Sequence, residues 1–420
     1  MSMMSTSYSD RISDILRADI LARRFERMSG QILNRNHKTA ILGLGAWTGR
    51  QEWPLPWISS PDKLKVFGVT FCPSLVATIT ASWEATQQAA KSSVAGWKRK
   101  GVATLRHRRD VLETYVFSKL WYLAQILPLP SAMARQLTTM AGAYLWSGHF
   151  ERLAWQELHA PLLAGGLAIS CLASRAQALL TKQICWSIGH GGRAAGHWAY
   201  WIGHRLATHL PHLEDPGHQA ANTPRLWEEA ADTVLEVLDY ETVSPAALLA
   251  AKAASIYSEF TDTPPLPKIV FKQPDLPWPT IWQRLWKSGL KPEEADLAFR
   301  LLHNILPLRG RLARFGVAEG ACCRHCPGQQ ETATHLFCLC IRVADNWQQL
   351  LAALLPYTGP IRDEELLLLA WPPSPFDGDL VMAVVAYVSQ IWATRGDRRP
   401  PSFRAFTATM RARPYHNPLW

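Results

Sequence analysis

Cys323-Arg324-His325-Cys326-Pro327-Gly328-Gln329-Gln330-Glu331-Thr332-Ala333-Thr334-His335-Leu336-Phe337-Cys338-Leu339-Cys340 is the most informative run in these 420 residues. Its metal-capable side chains fall as Cys323-x2-Cys326-x8-His335-x4-Cys340. Two thiolates two residues apart can hold one ion from a tight knuckle turn, while His335 and Cys340 return from a short helix that Thr332 is placed to cap. Four nitrogen and sulfur donors closing a tetrahedron describe a structural Zn2+ site with no open position for water. Such an ion lets a small subdomain fold without a large core. Cys322 and Cys338 are spare thiols that could substitute, and His325 could replace His335 only with awkward geometry. Free cysteines also serve as small buried hydrophobes, but five of the chain's eight lie between Cys322 and Cys340, too tight a cluster for that use. No HExxH motif or deaminase-type Glu accompanies the ligands, so a catalytic zinc is not expected.

Outward from this cluster, composition narrows the class. At ~100–200 residues per domain the length allows two to four domains. A 48% hydrophobic and 19% charged composition excludes wholesale disorder. The excess of 44 Lys and Arg over 34 Asp and Glu favours a polyanionic partner. No stretch reaches the ~18 apolar residues of a membrane helix, so no membrane partner is expected. Asp10, Asp14 and Asp19 fit neither a signal peptide nor an acid-poor transit peptide. Clustered rather than dispersed cysteines suit a reducing compartment, hence an intracellular location in the cytoplasm or nucleus.

Periodicity predicts a mainly α-helical chain. Ile12, Ile15, Leu16, Ile20, Leu21, Phe25 and Met28 mark a first helix that Gly30 stops. Lys38–Leu44 and Lys63–Phe71 read as strands of a small hairpin. Trp83, Gln87, Ala90, Val94 and Trp97 make a helical stripe. A long helix comes next, from about Arg108 to Leu127, then one striped by Met133, Leu137, Met140 and Tyr144 that ends at Gly148. Gly165-Gly166 marks a tight turn before a helix that includes Arg175 to Trp186. Helices resume at Thr280, with later ones near Asn346–Leu355 and Asp379–Trp392. The expected organisation is an N-terminal segment with the hairpin over 1–80, a helical bundle over 81–187, and a variable helical insert with a proline-rich linker over 188–279. A zinc-binding helical domain then spans 280–394, before a basic, poorly patterned tail over 395–420.

The Cys323–Cys340 string, with Trp347 after it, resembles the zinc-binding region at the end of reverse transcriptases from non-LTR (LINE-type) retrotransposons. Ile305-Leu306-Pro307 with Arg311, Leu312 and Gly316 resembles its lead-in. Ser29-Gly30 with Asn34 and Lys38 is similar to the segment after the polymerase active site, and Lys65-Val66-Phe67-Gly68-Val69 to the primer-grip strand. Ser118-Lys119-Leu120-Trp121-Tyr122, Leu127-Pro128-Leu129-Pro130 and Gly165-Gly166-Leu167 resemble the thumb and the segment C-terminal to it. The resemblance implies a palm remnant over 1–80 with Lys65, Phe67 and Gly68 at a primer-grip position, a thumb-like bundle, and an RNA or DNA template–primer duplex as partner. It also sets a departure. Polymerases of this family transfer nucleotides with two ions held by paired carboxylates, and no Asp-Asp pair occurs in this chain. Polymerase activity is therefore not expected from this chain alone, and Mg2+ would enter only with a palm supplied separately. The matched segments place the missing turn at or before Met1, as in a truncated or decayed element or an incomplete gene model of an active polymerase. The expectation is a nucleic-acid-binding C-terminal fragment of a reverse transcriptase. The alternative is a structural or interaction remnant that binds no nucleic acid.

Two basic groups are candidates for the phosphate contacts. Lys98, Arg99, Lys100, Arg106, Arg108 and Arg109 precede any acid until Asp110, and Arg309, Arg311, Arg314 and Arg324 surround the knuckle. For the first group a solvated basic face is the alternative, and phosphate binding is the preferred reading. Trp83, Trp97, Trp121 and Trp146 sit on helical stripes, which favours core packing over base stacking. The histidines from His190 to His218 show no coherent ligand spacing.

Overall fold

The computed structural model describes residues 11–30, 40–44, 47–55, 61–102, 104–146, 153–189, 205, 228, 231–232, 234–235, 252–260, 269, 272–397 and 402–412. The fold is mainly helical with one small antiparallel hairpin. Described residues group into two compact units, one drawn from 1–96, 114–140 and 172–262, the other from 97–113, 141–171 and 263–420. No helix among the described residues is long and apolar enough to cross a membrane. The histidine run and most of the acid-rich stretch and of the expected insert lie outside the described residues, as do Asp10, Asn34, Lys38 and Gly148.

In the first unit, α1 (Ile12–Ser29) ends where Gly30 takes φ 69° and its N–H returns to Glu26 O. The hairpin departs from expectation. It is made within the segment read as one strand, with β1 (Leu64–Val66) pairing antiparallel with β2 (Val69–Phe71) in the register Leu64↔Phe71, while 41–44 form no strand. The reason is local: Phe67 and Gly68 both take positive φ, 47° and 85°, as a tight two-residue hairpin turn requires. The outer edge of β2 is satisfied by hydroxyls rather than by a third strand. Thr70 N–H donates to Ser82 Oγ and Cys72 N–H to Thr78 Oγ1, both on α2 (Leu75–Arg99). Trp83, fully buried, donates its indole N–H to Pro128 O at 2.8 Å.

The helix read from Arg108 to Leu127 is three pieces: α3 (Leu105–Val111), a π-helical stretch Leu112–Phe117, and α4 (Ser118–Ala124). A π turn inserts an extra residue and resets the buried face, which keeps Leu112, Val116, Phe117 and Leu120 all inside. Next come α5 (Ser131–Leu145), with Leu137 and Tyr144 of its stripe buried, and α6 (Trp155–His159) in the second unit. Gly165 (φ 88°) and Gly166 make the expected tight turn; a Cβ on Gly166 would lie 1.9 Å from Ala160 O, so no larger residue fits. Back in the first unit, α7 (Leu172–Gly189) packs with α8 (Ala253–Phe260).

The second unit continues with α9 (Trp278–Lys287), α10 (Pro292–Leu302), α11 (Arg309–Arg314), α12 (Ala344–Thr358), α13 (Asp363–Leu367) and α14 (Asp377–Ala393). Arg284 on α9 ties it together. Its guanidinium, 3% exposed, donates to the carbonyls of Leu369, Trp371 and Pro372 and to both carboxylate oxygens of Asp377. The C-terminal segment also departs from expectation. Instead of unpatterned chain it forms α15 (Phe403–Arg411), capped by Ser402 Oγ accepting from Ala405 N–H. Phe406 and Met410, one turn apart, are buried, and the Phe406 ring meets Tyr387 of α14 edge-on.

Candidate metal centre and basic surface

The knuckle is built by local hydrogen bonds. Cys323 N–H donates to Gln329 O at 2.8 Å and Gln329 N–H to Cys326 O at 3.1 Å, with Gly328 at φ 82° closing the turn. His325 N–H points at Cys323 Sγ at 3.4 Å, a donor suited to a thiolate. On the return side Thr332 Oγ1 accepts from His335 N–H at 3.1 Å. His335–Leu339 is then π-helical, and Cys340 N–H reaches back to His335 O at 2.7 Å. That i→i+5 bond matters for the site. In an α-helix residues five apart diverge by about 140°, whereas the wider π turn sets His335 and Cys340 side by side.

The four donor atoms of Cys323, Cys326, His335 and Cys340 lie within 4.8 Å of one another. Cys340 Sγ is 3.8 Å from Cys323 Sγ and 3.7 Å from Cys326 Sγ. A tetrahedral ion with metal–sulfur bonds near 2.3 Å has a sulfur–sulfur edge of about 3.8 Å, so the sulfurs already stand where zinc needs them. His335 Nε2 is buried and has no hydrogen-bond partner. Burial holds the His335 imidazole below its ordinary range against the opposing pull of Glu331, which favours the neutral, metal-binding form. Burial pushes the Cys340 thiol up to about 12; its bond with Arg342 N–H works the other way, and the two neighbouring sulfurs add to the rise. Three sulfurs packed this closely cannot all ionise without a cation, and a divalent ion reverses that balance. The donor set therefore fits zinc.

The open alternatives resolve geometrically. Cys338 is buried in the core, its thiol pushed up by that burial and then by Asp363 and Glu364. Cys322 is exposed and pairs by backbone with Gln330. His325 is held by Arg342 Nη1 at 3.2 Å. None of the three joins the cluster.

One residue escaped sequence reasoning. Glu331, 4% exposed, accepts from Arg309 N–H at 2.9 Å and pairs with Arg395, which also donates to Pro307 O at 3.1 Å. Its own carbonyl accepts from Gly310 N–H, and a Cβ on Gly310 would lie 2.8 Å from that oxygen. Glu331 thus anchors the knuckle to α11 and to the end of α14. A signal existed: it is the only acid between Glu319 and Asp345.

The basic candidates divide. Lys98, Arg99 and Lys100 are exposed at the C-terminus of α2, where the helix dipole favours cations, and Lys100 Nζ sits 4.0 Å from the Trp97 ring. Arg106 is exposed. Arg108 and Arg109 do not join that surface as a free pair. Arg108 donates to Val102 O and Leu145 O, and burial, then Arg300, lower its pKa. Arg109 donates to Ala168 O and to Asp110. Of the knuckle arginines, Arg324 is exposed, Arg311 is half-buried with a bond to Asn304 O, Arg314 bonds Gly310 O, and Arg309 is half-buried beside Glu331. At the hairpin, Lys65, Phe67 and Gly68 are all exposed, and a Cβ on Gly68 would lie 3.4 Å from the Tyr122 ring.

Residues 268–347 match the family model described as zinc-binding in reverse transcriptase. All four clustered ligands fall inside that match. No curated protein matches the chain. The chain thus carries a zinc-binding region of the reverse-transcriptase-associated kind.

Proposed function

We propose that this chain is the nucleic-acid-holding C-terminal part of a non-LTR retrotransposon reverse transcriptase, acting inside the cell on an RNA or DNA template–primer duplex. The carrying observation is the preassembled Cys3His cluster inside a region that matches zinc-binding in reverse transcriptase. Supporting it are the order of thumb-like and primer-grip-like segments along the chain, the net charge of +10, and the exposed cations Lys98, Arg99, Lys100, Arg106 and Arg324.

In this reading the ion is structural. Cys323, Cys326, His335 and Cys340 would hold it, and it would supply the cross-link that locks the knuckle turn onto the π turn. Phosphate contacts then fall to exposed side chains, while the Arg108 and Arg109 guanidinium groups hold backbone carbonyls. Nucleotide transfer is not assigned to this chain, whose sequence has no adjacent Asp-Asp pair; Mg2+ would belong to a palm supplied separately.

The test is anisotropy of a labelled RNA–DNA duplex over a salt series. Each phosphate neutralised contributes about 0.9 to the log–log salt slope. Lys98→Ala, Arg99→Ala and Lys100→Ala together should therefore weaken binding and flatten the slope by about 2 to 3. Salt-independent affinity, or no binding at low salt, would overturn the reading.

A further inference from the structure

Within the second unit a cleft of about 230 Å3 opens between α3, α9 and α10. That is below the roughly 300–1,000 Å3 of drug-sized sites, room for one flat ring system. Its walls include Leu105, Leu167, Trp286 and Phe299, with Arg106 and Asp110 among its polar residues. Trp286 is fixed, its indole N–H donating to Leu162 O at 3.0 Å, and its ring lies 5.9 Å from Phe299 at 44°. The Arg106 guanidinium is 5.6 Å from the Trp286 ring centre, near the outer limit of a cation–π contact, and no hydrogen bond or ion pair engages it among the described residues. Asp110 uses Oδ1 for Arg109, which leaves Oδ2 as a free acceptor.

An apolar aromatic slot with an unpaired guanidinium and a spare carboxylate oxygen matches one chemistry well: a flat heterocycle with N–H donors on its edge and a phosphate attached. We propose that this cleft binds a single unpaired nucleotide, its base against Trp286, its phosphate on Arg106 and its amino or imino edge on Asp110 Oδ2. The proposal rests on the nucleic-acid reading above for the source of the ligand, and adds to it a site for an unstacked base whose phosphate takes Arg106, leaving duplex phosphates to Lys98, Arg99 and Lys100. Stacking on protein aromatics tolerates any base, whereas the Asp110 acceptor favours bases presenting N–H groups.

The test uses the full zinc-loaded chain, a short single-stranded RNA carrying one fluorescent purine analogue, an RNA–DNA duplex, and free nucleoside monophosphates monitored by ligand-observed NMR. Leu290→Trp should fill the cleft, and Arg106→Gln should remove its anion anchor without touching the core. The expected result is quenching of the analogue by the native chain, and roughly ten-fold weaker single-strand binding in each variant. Duplex affinity should stay unchanged in Leu290→Trp. Unquenched fluorescence with single-strand binding equal in native and variant chains overturns the cleft while leaving the nucleic-acid reading standing. Monophosphate binding that Leu290→Trp abolishes, with neither polymer bound at low salt, upholds the cleft and overturns that reading. No binding of monophosphate or polymer overturns both. Should Leu290→Trp fail to fold, Asp110→Asn, which leaves every cation in place, gives the same discrimination: weaker single-strand binding with duplex affinity unchanged.

Discussion

Replacing Cys340 by Ser tests the metal centre directly. Cys340 Sγ is within 3.8 Å of both other ligand sulfurs, so it occupies a shared corner of the tetrahedron. Its backbone is equally committed, since its N–H bonds His335 O and its carbonyl accepts from Val343 and Ala344. Serine preserves those backbone bonds and the side-chain connectivity, and replaces a soft sulfur ligand by a smaller hydroxyl. A zinc ion present at 100 to 1,000 times its dissociation constant stabilises the folded state by about 2.7–4.1 kcal/mol. For a unit of this size each kcal/mol shifts melting by about 2–4 °C, so the loss should be about 5–16 °C. Metal content by mass spectrometry and melting by circular dichroism, each with and without chelator, make the assay. The native chain should hold one zinc and melt lower in chelator, whereas Cys340→Ser should hold far less and be insensitive to chelator. Cys338→Ala and Cys322→Ser, outside the cluster, should keep their zinc. One zinc per chain in Cys340→Ser, or a native melting curve indifferent to chelator, would refute the assignment.

Other consequences arise from the buried polar groups. Arg284→Met strands three carbonyls and Asp377, and should cost about 3–5 kcal/mol in urea unfolding; a loss under about 1 kcal/mol would contradict the hub role. Glu331→Gln keeps the shape but loses the charge facing Arg395, and should cost about 1–3 kcal/mol with zinc retained; a chain that loses its metal instead would show that Glu331 supports the ligands themselves. His303 is buried against Trp282 and Phe299 and bonded to Gly165 O at 2.7 Å, and burial lowers its pKa from 6.5 to about 4. The unfolded chain therefore binds the extra proton first. The stability that neutral His303 protects is present above pH 6.5 and is lost as pH falls toward 4, by about 3 kcal/mol. His303→Phe should flatten that part of the stability–pH curve, and an unchanged curve would remove His303 as its source.

Much of the fold was visible in short-range patterns. Thr332 caps as its position before the His335 turn implied, Gly30 and Gly165 stop and turn the chain as glycines do, and the stripe of Trp83, Gln87 and Ala90 faces inward. The readings that changed depended on backbone states that side-chain alternation does not encode. Phe67 adopts positive φ and folds a presumed strand in two, and the π turns at Leu112–Phe117 and His335–Leu339 shift register by one residue. Ser402, Phe406 and Met410 were a helix signal hidden under a run of arginines.

Spacing alone was enough to nominate the four residues that cluster, because a knuckle and a single helical turn are local objects whose geometry is set within 18 residues of chain. Choosing among arginines was beyond it. Arg108 and Arg284 are spent on carbonyls 37 and more than 80 residues away, while Arg106 and Lys98 to Lys100 remain in solvent. A guanidinium binds phosphate or backbone oxygen equally well, so its role depends on which oxygens the folded chain brings within reach, and those come from distant segments.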